Sequence, residues 1–128
     1  MDAPEHKGTA AVGNLFNKVK AELMSWQGVT VHPHRFGGTE FRVNGKEMGH
    51  MHGSALVDLP FPMNIRNELV KSGKVEPHHI MPNSGWVSYW IGSNGDSTDQ
   101  DLNHVVGLFH MQYERLGGKA KMKADLSA

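Results

Sequence analysis

"TEFRVNGKEMGHMH", Thr39 to His52, decides the fold. Phe41 and Val43 alternate with Glu40 and Arg42, the period-two pattern of a half-buried strand. Asn44-Gly45 is the strongest short hairpin signal, because a type I′ turn needs positive φ at both central residues. Lys46 to His52 then reads as the return strand. A two-residue loop pairs Val43 with Lys46, Phe41 with Met48 and Thr39 with His50. That register places His50 and His52 on the face of Phe41, and a β-bulge at Gly49 or Gly53 would reverse part of it.

The elements on either side build an α+β domain around this hairpin. Upstream, Val29 and Val31 alternate with Thr30 and His32 in another strand. Before it, Val12, Leu15, Phe16, Val19 and Leu23 form one apolar helical stripe that stops before Gly28. Downstream, Ala55 to Leu59 reads as a short strand closed by Pro60-Phe61-Pro62. A short helix is predicted over about 62–72, with Pro62 at its first position, Ile65 and Leu69 on its apolar face and Gly73 as its cap. "VEPHHIMP" is an extended connection to a strand from Trp86 to Ile91, in which Trp86, Ser88 and Trp90 share one face. After the turn "GSNGDS", Ser97 and Gln100 suit a capping box. The helix that follows carries Leu102, Val105, Val106, Phe109, Tyr113 and Leu116 and ends at Gly117-Gly118. The expected architecture is a single two-layer domain over 11–116, an antiparallel sheet with helices packed on one face. Residues 1–10 read as a disordered polar segment and 117–128 as a disordered basic tail.

Composition narrows the function classes. The 128 residues suit one domain. Cysteine is absent, which excludes disulfides, thiolate metal sites and cysteine nucleophiles. Thirteen basic and thirteen acidic residues leave no net charge, which argues against a strongly electrostatic nucleic-acid binder. No apolar run approaches the roughly 20 residues of a membrane span. The opening "MDAPEHKGTA" has neither the basic start nor the apolar core of a signal peptide, so a cytoplasmic location is the expectation.

The nine histidines are the main chemical signal, and six of them lie in three pairs. A His-x-His on a strand points both imidazoles to one face and supplies two ligands to a divalent transition metal. His50 and His52 make one such pair and His32 and His34 another, and Asp58 or Glu47 could add a carboxylate. The unbulged register sets the two pairs on opposite sides of the sheet, which argues against a four-histidine cluster. His78 and His79 form the third pair, in "PHHIMPNSGW". A nucleophile–base pair with Ser84 lacks the Gly-x-Ser-x-Gly elbow, and a rigid loop anchored by Trp86 accounts for the same residues. Gly37-Gly38 feeds a strand rather than a helix, so it is a poor phosphate loop; Arg35, Arg42 and Arg66 remain candidates for gathering anions.

Together "HPHRFGGTEFRVNGKEMGHMHG", "VDLPFP", "PHHIMPNSGWVSYWI" and "QYER" resemble the small luciferase-domain, or luciferase-family, proteins of bacteria and fungi. The resemblance runs from about Trp26 to Arg115, and the family label does not by itself imply light emission or a flavin. "RNELVKSG", "PHHIMPNSG", "WVSYWI" and "QYERL" also resemble, more loosely, the MmcQ/YjbR-like proteins. That likeness implies a YjbR-like α+β fold and carries a proposal of DNA binding at the level of fold alone. Neither family supplies a catalytic residue. The leading expectation is a ligand-binding module for a small molecule or an anion, with His32, His34, Arg35, Glu40, His50, His52, His78, His79, Ser84 and Trp86 as candidates. Its rival is a metal-assisted enzyme holding a divalent transition ion through His50, His52 and His79, or His78 in its place. A nucleic-acid module is the third. His50, His52, His78 and His79 are expected to border one cleft, with His104 and His110 apart from it.

Overall fold

The computed structural model describes residues 15–34, 37–93 and 99–118. Val12, Arg35, the Ser97 cap and the segments 1–10 and 119–128 lie outside the described residues. Helix α1 (15–24) is followed by β1 (Val29–Pro33), β2 (Thr39–Val43), β3 (Lys46–His52) and β4 (Leu56–Pro60). Then come α2 (Met63–Lys71), β5 (Glu76–Pro77), β6 (Trp86–Trp90) and α3 (Asp99–Arg115). The strands form one six-stranded sheet in the order β1-β2-β3-β4-β6-β5, antiparallel throughout. This is the expected α+β architecture, with one addition. The start of the extended connection, Glu76–Pro77, pairs with β6 as a short edge strand.

The β2–β3 register departs from the unbulged expectation. Asn44 and Gly45 take φ of 54° and 75°, and Val43 pairs with Lys46 as the turn chemistry requires. Arg42 then pairs with Glu47, but Phe41 pairs with Gly49, Glu40 with His50 and Thr39 with Met51. Met48 is the extra residue of a β-bulge. The reason is steric at Gly49. A Cβ there would lie 2.8 Å from the Asp58 carbonyl oxygen and 3.1 Å from Phe109 Cε1, so only glycine lets β3 pass beneath that ring. One extra residue turns the rest of the strand over. Met51 enters the core, and His50 and His52 face away from Phe41 instead of alongside it.

The core fills the helix side of the sheet. Phe41, Val43, Met48, Met51, Val57, Leu59 and Val87 are buried there with Leu15, Val19 and Leu23 of α1 and Val105 and Phe109 of α3. The rings of Phe41 and Phe109 meet edge to face at 5.4 Å. In α3 the buried stripe is Val105, Leu108, Phe109, Gln112 and Tyr113, whereas Leu102, Val106 and Leu116 are half-buried. Gln112 is completely buried. Its Nε2 donates to the carbonyl of Met48 at 2.8 Å and to that of Pro60 at 2.6 Å. The rest of "QYER" serves the same scaffold. Tyr113 donates its hydroxyl to the Gln27 carbonyl, and Arg115 Nε donates to Gln112 Oε1. Gly117, at φ 94°, closes the helix; Gly118 N–H donates to the Tyr113 carbonyl and Gly117 N–H to that of Glu114, the two bonds of a Schellman motif.

Two substitutions test this packing by denaturant unfolding. Phe109→Ala should lower stability by about 3–5 kcal/mol, since its ring is fully buried. Gln112→Leu keeps the volume but takes the side-chain donor from the buried Met48 carbonyl and should cost roughly 1–3 kcal/mol, while the Pro60 carbonyl keeps Arg115 Nη2 at 3.2 Å. An unchanged urea midpoint for Gln112→Leu would show that the bulge does not need that amide.

Candidate functional site

On the sheet face turned away from the helices, three strands bring polar side chains into one row. His50 on β3 pairs with Asp58 on β4, and Asp58 pairs with Ser88 on β6. Asp58 is the centre and is only 1% exposed. Its Oδ2 faces three imidazoles: His50 Nε2 at 3.3 Å, His52 Nε2 at 3.4 Å and His78 Nε2 at 3.6 Å. Its Oδ1 accepts a hydrogen bond from Ser88 Oγ at 2.7 Å, with His79 Nδ1 at 3.8 Å. Glu47 closes the row from the other side, its Oε2 accepting from His50 Nδ1 at 2.8 Å. Residues three apart on an unbroken strand point to opposite faces. The bulge at Met48 is what puts Glu47 and His50 on the same one.

Hydrogen bonding orients three of these imidazoles. His50 is buried, which disfavours its charged form, but carboxylates on both nitrogens outweigh that and push its pKa up to about 9. Burial likewise opposes ionisation of Asp58, yet hydrogen bonds from His50 and Ser88 hold its pKa below the usual carboxylate value. His78 Nδ1 accepts the backbone N–H groups of Ile80 and Met81, both at 3.1 Å. Neutral His78 therefore carries its proton on Nε2, toward Asp58. Burial lowers its pKa, as do His79 and His50 nearby, against the pull of Asp58. Ser88 spends its proton on Asp58, so at 3.2 Å it accepts from His79 Nδ1.

These groups floor a cleft of about 430 Å³ lined by His34, Glu47, His50, His52, Asp58, His78, His79, Ile80, Met81 and Trp86. His34, at the end of β1, stacks on His50 with ring centres 3.9 Å apart. Trp86 lies 5.3 Å from the His50 ring and 6.0 Å from that of His78. The mouth is apolar: Ile80 is 74% and Met81 45% exposed. The loop that carries them is tied down by Arg66 Nη2 on the Pro82 carbonyl and by Phe61 N–H on the Gly85 carbonyl.

Each of the three histidine pairs thus reaches this side of the sheet, and five of the six rings line the cleft. His32 does not line it; its Nε2 is 2.8 Å from Thr30 Oγ1. Glu40 forms an ion pair with Arg42, and Ser84 supports its own turn by donating to the Met81 carbonyl. Arg35 lies outside the described residues. His104 meets the Lys74 carbonyl and His110 packs on Trp26, both away from the cleft. Sequence reasoning missed Ile80 and Met81 at the mouth, and it missed Ser88. Its signal was a small hydroxyl on the same strand face as Trp86 and Trp90.

A family model described as Luciferase domain matches residues 45–112. The chain belongs to the Luciferase domain family. No curated protein matches it, and no solved structure does. The matched span of this Luciferase-domain chain holds Glu47, His50, His52, Asp58, His78, His79, Trp86, Ser88 and Gln112, while His34 precedes it.

The raised pKa of His50 fixes a sign. Its folded value near 9 exceeds the ordinary 6.5, so its contribution to stability is complete below about pH 6.5 and lost as pH rises through about 9. In ion-free protein, NMR of the histidine side chains should show the His50 ring still doubly protonated at pH 7.5, and Glu47→Gln should shift its titration downward. A neutral His50 ring at pH 7.5 would contradict the two-carboxylate arrangement.

Proposed function

We propose that this domain binds a small molecule in the cleft, with the polar end of the ligand on the Asp58–histidine floor and its apolar part against Ile80, Met81 and Trp86. One observation carries the reading: a fully buried carboxylate is surrounded by four imidazoles from two separate segments, yet opens onto a cleft. Burying ionisable groups costs stability, and a structural aspartate is satisfied by fewer partners. Perturbed titratable groups concentrated in one cleft mark functional sites. Asp58 and Glu47 both face the interior, which favours a ligand end that donates hydrogen bonds over an anion. The same groups equip the site for proton transfer, so binding and catalysis share one surface.

The nucleic-acid alternative rests on the YjbR-like resemblance alone, and a net charge of zero speaks against it. Among the described residues no helix is long and apolar enough to cross a membrane. A cytoplasmic setting belongs to the same proposal and suits a chain without cysteine.

The test is an NMR screen with neutral and amine-bearing amphiphilic fragments. A true binder moves the imidazole signals of His50, His52, His78 and His79 and leaves those of His104 and His110 in place. Trp86→Ala should weaken that binding about tenfold, the equivalent of one lost aromatic contact. Fragments that move only His104 or His110, or that bind the Trp86 variant equally well, would overturn the reading.

A further inference from the structure

The cleft floor has the donor set and spacing of a metal centre. We propose that His50 Nε2, His52 Nε2 and Asp58 Oδ2 form a binding site for one divalent transition-metal ion. The inference rests on the cleft just described as the place of chemistry, and it adds an ion to it.

Spacing is the first argument. Donor atoms that share an ion at 2.0–2.2 Å are separated from one another by about 3–3.6 Å. Asp58 Oδ2 is 3.3 Å from His50 Nε2 and 3.4 Å from His52 Nε2, and the three donors lie within 4.8 Å of one another. An ion can enter between them with small side-chain adjustments. The two imidazoles come from one His-x-His strand, and the carboxylate comes from the residue paired with His50 on the next strand, so the backbone presets the constellation.

The hydrogen bonds favour His50 and Asp58 over His78 and His79, and His52 joins them by its spacing. A ligating histidine needs its other nitrogen protonated and held. His50 meets this condition, with Glu47 accepting from Nδ1. Asp58 is divided in the same way: Ser88 donates to Oδ1 and leaves Oδ2 for the ion. His78 fails the condition. Its Nδ1 already accepts two backbone N–H groups, so the nitrogen aimed at Asp58 bears a proton. His79 directs Nδ1 to Ser88. Thus Asp58 takes the third place that the sequence reading gave to His79. His34, Glu47 and His50 also lie close together, but their carboxylate is already bound to His50 Nδ1 at 2.8 Å.

Two nitrogens and one oxygen suit zinc, iron(II), cobalt(II) or nickel(II), and do not suit calcium or magnesium, which prefer oxygen throughout. Three protein ligands leave coordination positions open on the side of Ile80, Met81 and Trp86, where a ligand or water could reach the ion. The ion takes the place of the proton between His50 and Asp58, and that proton leaves to solvent.

The experiment uses the untagged chain, stripped with a chelator and titrated with cobalt(II). Expected are one equivalent bound and visible absorption bands of nitrogen-ligated cobalt. His52→Gln is the decisive variant, because His52 is one-third exposed at its side chain and its loss leaves the core intact. It should weaken cobalt binding by at least about a hundredfold, and Glu47→Gln, which removes the orienting partner, by about 10–100-fold. His104→Gln, away from the cleft, should bind as the parent chain does. No saturable binding up to millimolar cobalt overturns the proposal, as does binding that survives His52→Gln or is lost in His104→Gln. The two readings fail separately. A chain that binds fragments but no cobalt loses the metal site alone, and one that binds cobalt but no fragment loses the small-molecule reading.

Discussion

Gln112 donates both of its amide protons from the middle of the core, one to Met48 at the bulge and one to Pro60 at the end of β4. The face taken by β3 depends on this contact. A bulge leaves a residue outside the ladder, and Met48 is buried, so its carbonyl would otherwise lose water with no replacement. With Gln112 in place the extra residue is tolerated, and every position after it changes side. Met51 becomes core. His50 and His52 come to the face of Asp58, and Glu47 comes within reach of His50. The site on one side of the sheet is therefore set by an amide on the other.

Burying Asp58 is the second constraint, and it is met by distribution. Each oxygen has its own set of partners: Ser88 and His79 serve Oδ1, while His50, His52 and His78 converge on Oδ2. The partners are in turn held by groups that fix their protons, namely Glu47 for His50 and two backbone N–H groups for His78. Such a network is over-determined for a carboxylate that only had to be neutralised. That excess links the geometry to the proposed binding role.

The architecture was legible because its signals are local. The Asn44-Gly45 turn, the Val29/Val31 and Phe41/Val43 alternation and the α3 stripe all report through neighbours a few residues away. The bulge was not legible in the same way. Gly49 offered the option, but the choice was made by the Asp58 carbonyl on the next strand and by Phe109, far along the chain. The expectation that His34 and His50 lie on opposite sides followed correctly from an unbulged strand and failed with it; their rings stack. Asp58 and Glu47 were visible only as carboxylates near histidines. Their roles depend on cross-strand pairing, which a sequence does not state. Gln112 entered the sequence reading only as part of "QYER", and its burial follows from two carbonyls contributed by other elements.

The two faces of the sheet are linked along the strands that carry the site. In β4, Val57 and Leu59 are fully buried on the helix side and Asp58 lies between them on the other. In β6, Val87 and Ser88 stand in the same relation. Residues that alternate on a strand cannot change face singly, because a shift of one residue exchanges both sets. A register slip that carried Asp58 off this face would also turn Val57 and Leu59 to the polar side. The floor is thus carried by the ladder, while the loop bearing Ile80 and Met81 and the His34 ring at the end of β1 stand outside it. This division sets a polar floor on the strands beneath an apolar mouth on the loop, within a sheet whose core and cleft are specified by the same alternation.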